Sequence, residues 1–292
     1  MQKRRFKMKK TVFSFMALAT ITVFLLTIGI ANAQWRNETH DVYNAPMGVV
    51  VKIDGDLSEW AGIMDAVTGT DGTAFCGVEF EANGGAVTTF EEYNGGKWSD
   101  ANDHETCFMI TWDADAVYLA LSVTDDEHEH AAAAAWNGDG AQLALEPTGK
   151  RESGLPLFLY NIGLDGAGEN VILQNEKTNG SPGLAAEDAA IVRDEGAKKT
   201  YYEFRFSAAE LQIEGDQFSA GVELGLGICV NDGDKGEGQN GQRGWDGWYP
   251  HAVVYGKNSE KTGLIVLSDT GVTAVEATNK LATTWGKLKS HQ

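Results

Sequence analysis

A chain of 292 residues with 42% hydrophobic residues, 35 glycines and five prolines carries enough apolar material for one sizeable core, and its formal net charge is −19. That field excludes nucleic acid and anionic membrane surfaces as partners and suits neutral ligands, cations such as Ca²⁺, or plain solubility. Three cysteines, Cys76, Cys107 and Cys229, form no C-x-x-C motif and no metal-binding spacing.

The chain opens as an address. MQKRRFKMKK is basic, Thr11 to Ile30 is apolar, and Ala31-Asn32-Ala33 is a small-x-small cleavage site, so residues 1–33 read as a signal peptide. The apolar run is also long enough to span a bilayer, and an uncleaved anchor is the alternative that would bring the protein to a membrane. Either way the remainder is expected outside the cytoplasm, secreted or held in the cell envelope. Cleavage removes six Lys and Arg and no acid, which takes the net charge from −19 to about −25.

Residues 34–48 are polar and read as a lead-in. Val49 to Ile53 then predicts a first strand, and IDGDLSEW (53–60) a tight turn that sends Trp60 into the core. Residues 66–105 are rich in Gly, Asp, Glu and Asn and too long for an ordinary connection. They predict an inserted hairpin turning at Asn83-Gly84-Gly85, or a functional loop. Cys76 and Cys107 flank one Gly-rich stretch and are the expected disulfide pair, since export permits one; Cys229, inside LGLGICV, is expected as a buried free thiol.

The clearest hairpin joins Thr106–Trp112 to Val117–Thr124 through Asp113, Ala114 and Asp115. DDEHEH (125–130) then sets carboxylates and imidazoles close together, a composition suited to Ca²⁺ or, through His128 and His130, a softer metal; the alternative is a solvated loop. In WNGDGAQLALEP (136–147) a large aromatic precedes a Gly-Asp-Gly turn that opens into an alternating strand. An indole at such a sheet end offers a flat apolar face of the kind a pyranose ring can stack on. A second hairpin follows at Leu157–Gly163 and Glu169–Leu173, then extended segments at Ile191–Arg193 and Tyr201–Phe206, with Ser207 as the cap of one helical turn. Val222–Asn231 predicts a central strand.

Asn231 to Pro250 is a Gly-rich acidic loop that ends in Trp245, Trp248 and Tyr249; aromatics there suggest a contact surface, or pins that hold the loop to its own domain. Gly263–Leu267 predicts the last strand, and residues 269–292 a short helical tail. A nucleophile elbow, a P-loop, a dinucleotide-binding turn and H-E-x-x-H are all absent, so an enzyme is not indicated.

Five stretches in this order carry a resemblance: IDGDLSEW, TWDADAVYLALSVTDD (111–126), WNGDGAQLALEP, YYEFRFSAAEL (201–211), and LGLGICVNDGD (224–234) followed by Trp248 and TGLIVLS. With them the chain resembles carbohydrate-binding module family 9 and its DOMON-like relatives over 49–268. The resemblance implies an all-β, jelly-roll-like antiparallel sandwich of about ten strands with structural calcium and no catalysis, associated with polysaccharide recognition or breakdown.

It also implies a sugar clamped between two tryptophans: Trp136 first, Trp248 second, with Trp245 in reserve. Gln142 stands where the sugar-binding type has Glu, and Leu159 stands nearest a position that is Arg in that type. Asn161 and Arg243 are the further candidate contacts. Asp125, Asp126, Asp139, Asp232 and Asp234 are the candidate calcium ligands. Two other readings stay open, a surface-interaction sandwich without a sugar site and a haem-binding DOMON-like protein.

Overall fold

The computed structural model describes residues 36–37, 39–48, 51–64, 67–70, 72–77, 100–130, 138–176, 180–234, 244–254 and 257–271. Two compact units are delineated, Met1–Glu38 and Thr39–Gln292, and the strands all belong to the second. The expected signal peptide, the hairpin turn at 83–85, Trp136, Arg243 and all but the first three residues of the 269–292 tail lie outside the described residues.

Twelve strands are found among the described residues. They are β1 (Val42–Met47), β2 (Cys76–Gly77), β3 (His104–Trp112), β4 (Ala116–Asp125), β5 (Gly140–Glu146), β6 (Phe158–Leu164), β7 (Asn170–Glu176), β8 (Ala189–Asp194), β9 (Lys199–Ser207), β10 (Glu223–Asp232), β11 (Gly244–Asp246) and β12 (Gly263–Gly271). They join in the order β7-β6-β5-β10-β12-β1-β3-β4-β9-β8, with β11 beside β10 and β2 beside β3. The two halves of this order face each other over one core. Leu143, Tyr160, Ile228 and Ile265 come from one half, and Ile110, Leu119, Phe204 and Ile191 from the other. The all-β sandwich is therefore as expected, with two strands more than the sequence suggested.

The first strand differs from expectation. Residues 51–53 carry no strand, whereas Val42–Met47, read as lead-in, is β1 and lies between β12 and β3, parallel to both. The signal was there in short form. Tyr43 and Ala45 alternate inward while Val42 and Asn44 face out, and polar neighbours hid the period of two. Helical structure among the described residues is confined to short turns, including a 3₁₀ turn at Leu57–Trp60 and one α-helical turn at Ala61–Met64.

The hairpins follow from local chemistry. Asp113 Oδ1 accepts from Asp115 N and Ala116 N at 2.8 and 2.9 Å, and Asp165 Oδ1 accepts from Ala167 N and Glu169 N at 2.8 and 3.0 Å. Each carboxylate supplies the turn with acceptors that the backbone cannot, and so fixes the pairing of β3 with β4 and of β6 with β7. Ser207 behaves as a cap, its Oγ accepting from Glu210 N at 3.1 Å, but the segment it opens is a turn, not a helix.

Strand β4 is buried along its whole length. Its inner residues enter the sandwich, while Ala116, Tyr118 and Ala120 pack outward on Trp60, Ile63 and Met109. Trp60 is fully buried, as expected, and its indole N–H donates to Glu203 Oε1 at 2.7 Å. Glu203 also accepts from the backbone N–H groups of Asp54 and Gly55, which pins the IDGD turn against β9. The expected disulfide is present: Cys76 and Cys107 are bonded and stand opposite each other on β2 and β3. Cys229 is free and buried, again as expected.

Candidate functional site

Side-chain parity decides what the outer face of the β5–β6–β10 sheet can offer. On β5, Ala141, Leu143 and Leu145 enter the core, so Gln142, Ala144 and Glu146 point the other way. On β6 the same alternation turns Asn161 and Leu159 outward, and Asn161 is the register partner of Gln142. On β10, Asn231 faces outward and pairs with Trp245 of β11. Gln142 Nε2 donates to Asn231 Oδ1 at 2.8 Å.

Three of the six expected sugar contacts, Gln142, Asn161 and Trp245, are thus brought to one face. Trp245 is half-buried against Cys229, Val253 and Val254. Gln142 and Asn161 are largely buried, and the Nδ2 donor of Asn161 has no hydrogen-bond partner. A buried donor without an acceptor costs ~1–3 kcal/mol, so such a group is held ready for a ligand or a water. Leu159 packs with Ala144 and Ala252 and brings no charge.

Trp248 is the correction. It is fully buried in the sandwich core, and its indole N–H donates to the His40 carbonyl at 2.7 Å. Its ring stands among Phe75, Phe108 and Tyr249, with centroids 6.0, 5.1 and 5.3 Å away. A ring enclosed on both faces has none left to stack on a sugar. Two glycines make this placement: Gly247 takes φ +146° where a Cβ would strike the Ile228 carbonyl, and a Cβ on Gly263 would strike the Trp248 ring. Among the described residues, the reserve candidate Trp245 is the tryptophan on this face.

Two residues of the face went unmarked in the sequence. Asn231 was visible only as the end of a strand. Gln174 on β7 is the register partner of Asn161, and its Nε2 donates to Glu176 Oε1 at 2.6 Å. Period-two parity carried across a known register would have found both.

At the strand ends next to this face lies an acidic cluster. All five expected calcium ligands occur in it: Asp103, Asp126 and Asp234 form one group, Asp125, Asp232 and Asp234 a second, and Asp125, His128 and Asp139 a third. Within each group the ligand atoms lie within 4.8 Å of one another. The first two groups are oxygen-only and fit a hard divalent cation. In the third, His128 adds a nitrogen of the kind a softer metal takes, and Asp125, shared by the second and third groups, also has Arg193 Nη1 3.5 Å from its Oδ2. His130 meets His128 edge to face and is in none of the groups.

The electrostatics of the cluster are those of crowded buried acids. Burial pushes the Asp139 carboxyl well above the usual range, and repulsion from Asp125 and Asp232 adds to it, against hydrogen bonds from the Glu129 and Gly233 N–H groups. Burial opposes ionisation of Asp125, but its contacts with His128 and Arg193 win and hold it low. His104, 3.0 Å from Asp246 Oδ1 and 3.7 Å from Asp232 Oδ1, is pushed up to about 9, because these carboxylates outweigh the burial that would discharge it.

Comparison with known proteins agrees with this architecture. The sequence model of the family described as "Carbohydrate family 9 binding domain-like" matches residues 79–270. A carbohydrate binding module family 9 from Caldicellulosiruptor kristjanssonii in complex with cellotriose superposes with a TM-score of 0.52 at 13% identity, covering 80% of this chain and 97% of that one. A module of the same family from that organism in complex with glucose gives a TM-score of 0.49 at 12% identity, covering 80% and 98%. No curated protein matches the chain.

Proposed function

Since the chain belongs to the carbohydrate family 9 binding domain-like family, we propose that it is an exported, non-catalytic protein that binds a polysaccharide or oligosaccharide on the outer face of β5, β6 and β10. The observation that carries the reading is the convergence of Gln142, Asn161 and Trp245 on that face, with an unpartnered buried donor on Asn161. A half-buried indole and a few carboxamides are the elements such recognition needs: stacking on the apolar face of a ring, and hydrogen bonds to its hydroxyls. That a similar sandwich is seen with cellotriose supports a neutral oligosaccharide as the first ligand to try.

In this reading Trp245 replaces Trp248 in the clamp, and Trp136, which precedes β5 by four residues, is its opposing partner. The oxygen-only groups around Asp125, Asp126, Asp232 and Asp234 hold calcium, which neutralises crowded carboxylates and ties the ends of β4 and β10 together. Asp139, held by two backbone N–H groups, belongs to the same cluster. The N-terminal segment delivers the protein across a membrane.

Calorimetric titration with a panel of neutral glucan, xylan and mannan oligosaccharides tests the reading. Two indoles and a few hydrogen bonds give a Kd between ~1 mM and ~1 µM, roughly −4 to −8 kcal/mol. Trp136→Ala and Trp245→Ala should each weaken binding by ~10-fold or more, at about 1.4 kcal/mol per tenfold. Wild-type binding that survives the double substitution would eliminate the clamp. The surface-interaction reading draws support from the burial of Gln142 and Asn161, and would be preferred if no glycan bound.

A further inference from the structure

Asp125 closes β4, His128 sits in the loop that follows, and Asp139 immediately precedes β5, yet the fold brings the three side chains together. His128 Nδ1 stands 3.3 Å from Asp125 Oδ2 and 3.9 Å from Asp139 Oδ2, and the ligand atoms of the group all lie within 4.8 Å of one another. Two donors bound to one zinc-like ion at ~2.0–2.2 Å each are at most ~4.4 Å apart, so both nitrogen–oxygen distances suit a shared ion. The three side chains are buried, with exposures of 1%, 1% and 4%. Asp126 and Glu127, between Asp125 and His128 in the chain, are exposed, so the group lies beneath a surface loop that a bare ion can pass.

One atom sets this group apart from a satisfied polar network. Asp125 Oδ2 is buried and faces the His128 nitrogen, but it has no hydrogen-bond partner among the described residues, whereas Oδ1 of the same carboxylate accepts from Glu127 N at 2.9 Å. A buried acceptor left in that state is costly. Arg193 Nη1, 3.5 Å from Oδ2, donates instead to Thr200 Oγ1 at 3.3 Å, and Thr200 Oγ1 is 3.1 Å from His128 Nδ1. The backbone N–H groups of Glu129 and Gly233 donate to Asp139 Oδ2 and Oδ1 at 2.5 and 3.3 Å. Such outer contacts orient a carboxylate as they do around bound metals.

The nitrogen decides which ion fits. Calcium takes oxygen ligands, whereas an imidazole beside carboxylates suits zinc and its divalent transition-metal neighbours. We propose that Asp125, His128 and Asp139 form a second metal site, for a zinc-class divalent ion, next to the oxygen-only groups and sharing Asp125 with one of them. His128 Nδ1 supplies the nitrogen, the two carboxylates supply oxygens, and Thr200 Oγ1 is a further oxygen at hand. The inference stands whether or not the outer sheet face binds sugar.

The test is calorimetric titration of the intact chain, stripped with EDTA, with Zn²⁺ in the presence of excess Ca²⁺, which competes for the oxygen-only groups. One Zn²⁺ should bind per chain. His128→Gln should weaken its binding by ~10-fold or more, while Asp103→Asn and His130→Gln, at residues outside the group, should leave it unchanged. An anomalous-scattering map at the zinc edge, from crystals of the wild-type chain soaked in Zn²⁺, reads the same site even if His128→Gln does not fold. Its peak should lie within ~2.3 Å of His128 Nδ1 and of one oxygen each from Asp125 and Asp139. No Zn²⁺ uptake above Ca²⁺, a peak away from His128, or wild-type Zn²⁺ affinity in His128→Gln would overturn the inference.

Discussion

Trp245 and Trp248 stand three residues apart, and the chain between them turns at Gly247, so one indole faces the outer sheet surface and the other fills the core. Trp248→Ala should therefore cost stability, ~3–5 kcal/mol for a buried aromatic with its hydrogen bond to His40, whereas Trp245→Ala, at a half-buried indole, should lower the midpoint of urea unfolding by clearly less. Equal losses for the two would mean that the faces are misassigned. A second residue-scale prediction concerns Glu210, buried beside Tyr160. Burial pushes its carboxyl up to about 7, Asp188 adds to this, and Tyr160 opposes it. Between the unfolded value near ~4.5 and 7 the folded state holds a proton that the unfolded chain has lost, so stability falls as pH rises through that window. The fall amounts to about 3 kcal/mol, at 1.36 kcal/mol per unit. Glu210→Gln should flatten that slope between pH ~4.5 and 7 in urea titrations; an unchanged slope would assign it to other groups.

Among the elements, the hairpins were readable because short-range chemistry fixes them. Asp113 and Asp165 each cap their turn, and β4, β5 and β9 alternate or run apolar over seven residues or more. Strand β1 was missed because only Tyr43 and Ala45 carry its pattern and its partners, Leu264 to Leu267, lie more than two hundred residues away. Strand β11, three residues long, was hidden inside a Gly-rich loop, so Trp245 and Trp248 could not be told apart by position alone. The cysteine pair was legible from its flanking positions, and it joins β2 to β3 across a separation of 31 residues. Closing such a loop restrains the unfolded chain by ~3–4 kcal/mol. The double substitution Cys76→Ser with Cys107→Ser should lower unfolding stability by about that amount and leave Trp245 in place; loss of less than ~1 kcal/mol would show that the link holds only the insertion.

For the whole molecule, charge and topology act together. Although β12, β1 and β3 separate β10 from β4 in the strand order, folding the two halves of the sheet over one core brings Asp125, Asp232 and Asp234 together at their ends, within a chain whose net charge is already −19. Calcium bound by the folded state alone raises stability by mass action, ~2.7 kcal/mol at one hundred times its Kd, so EDTA should lower the melting temperature by several degrees and added Ca²⁺ should restore it. An unchanged melting temperature would leave these carboxylates without a structural ion. The acids were legible as candidates because they cluster in sequence at strand ends; Asp103 was not, since only folding brings it beside Asp126 and Asp234. The same holds for the proposed sugar face, where the family resemblance pointed to Gln142 and Asn161 and only register added Gln174 and Asn231. That face is best probed by a two-dimensional ¹⁵N–¹H spectrum followed during titration with a neutral oligosaccharide, reading tryptophan indole N–H and Asn/Gln side-chain signals. The indole of Trp245 and the amides of Gln142 and Asn161 should shift while the indole of Trp248 stays fixed; movement of Trp248 with Trp245 unmoved would contradict a sugar site on the outer face.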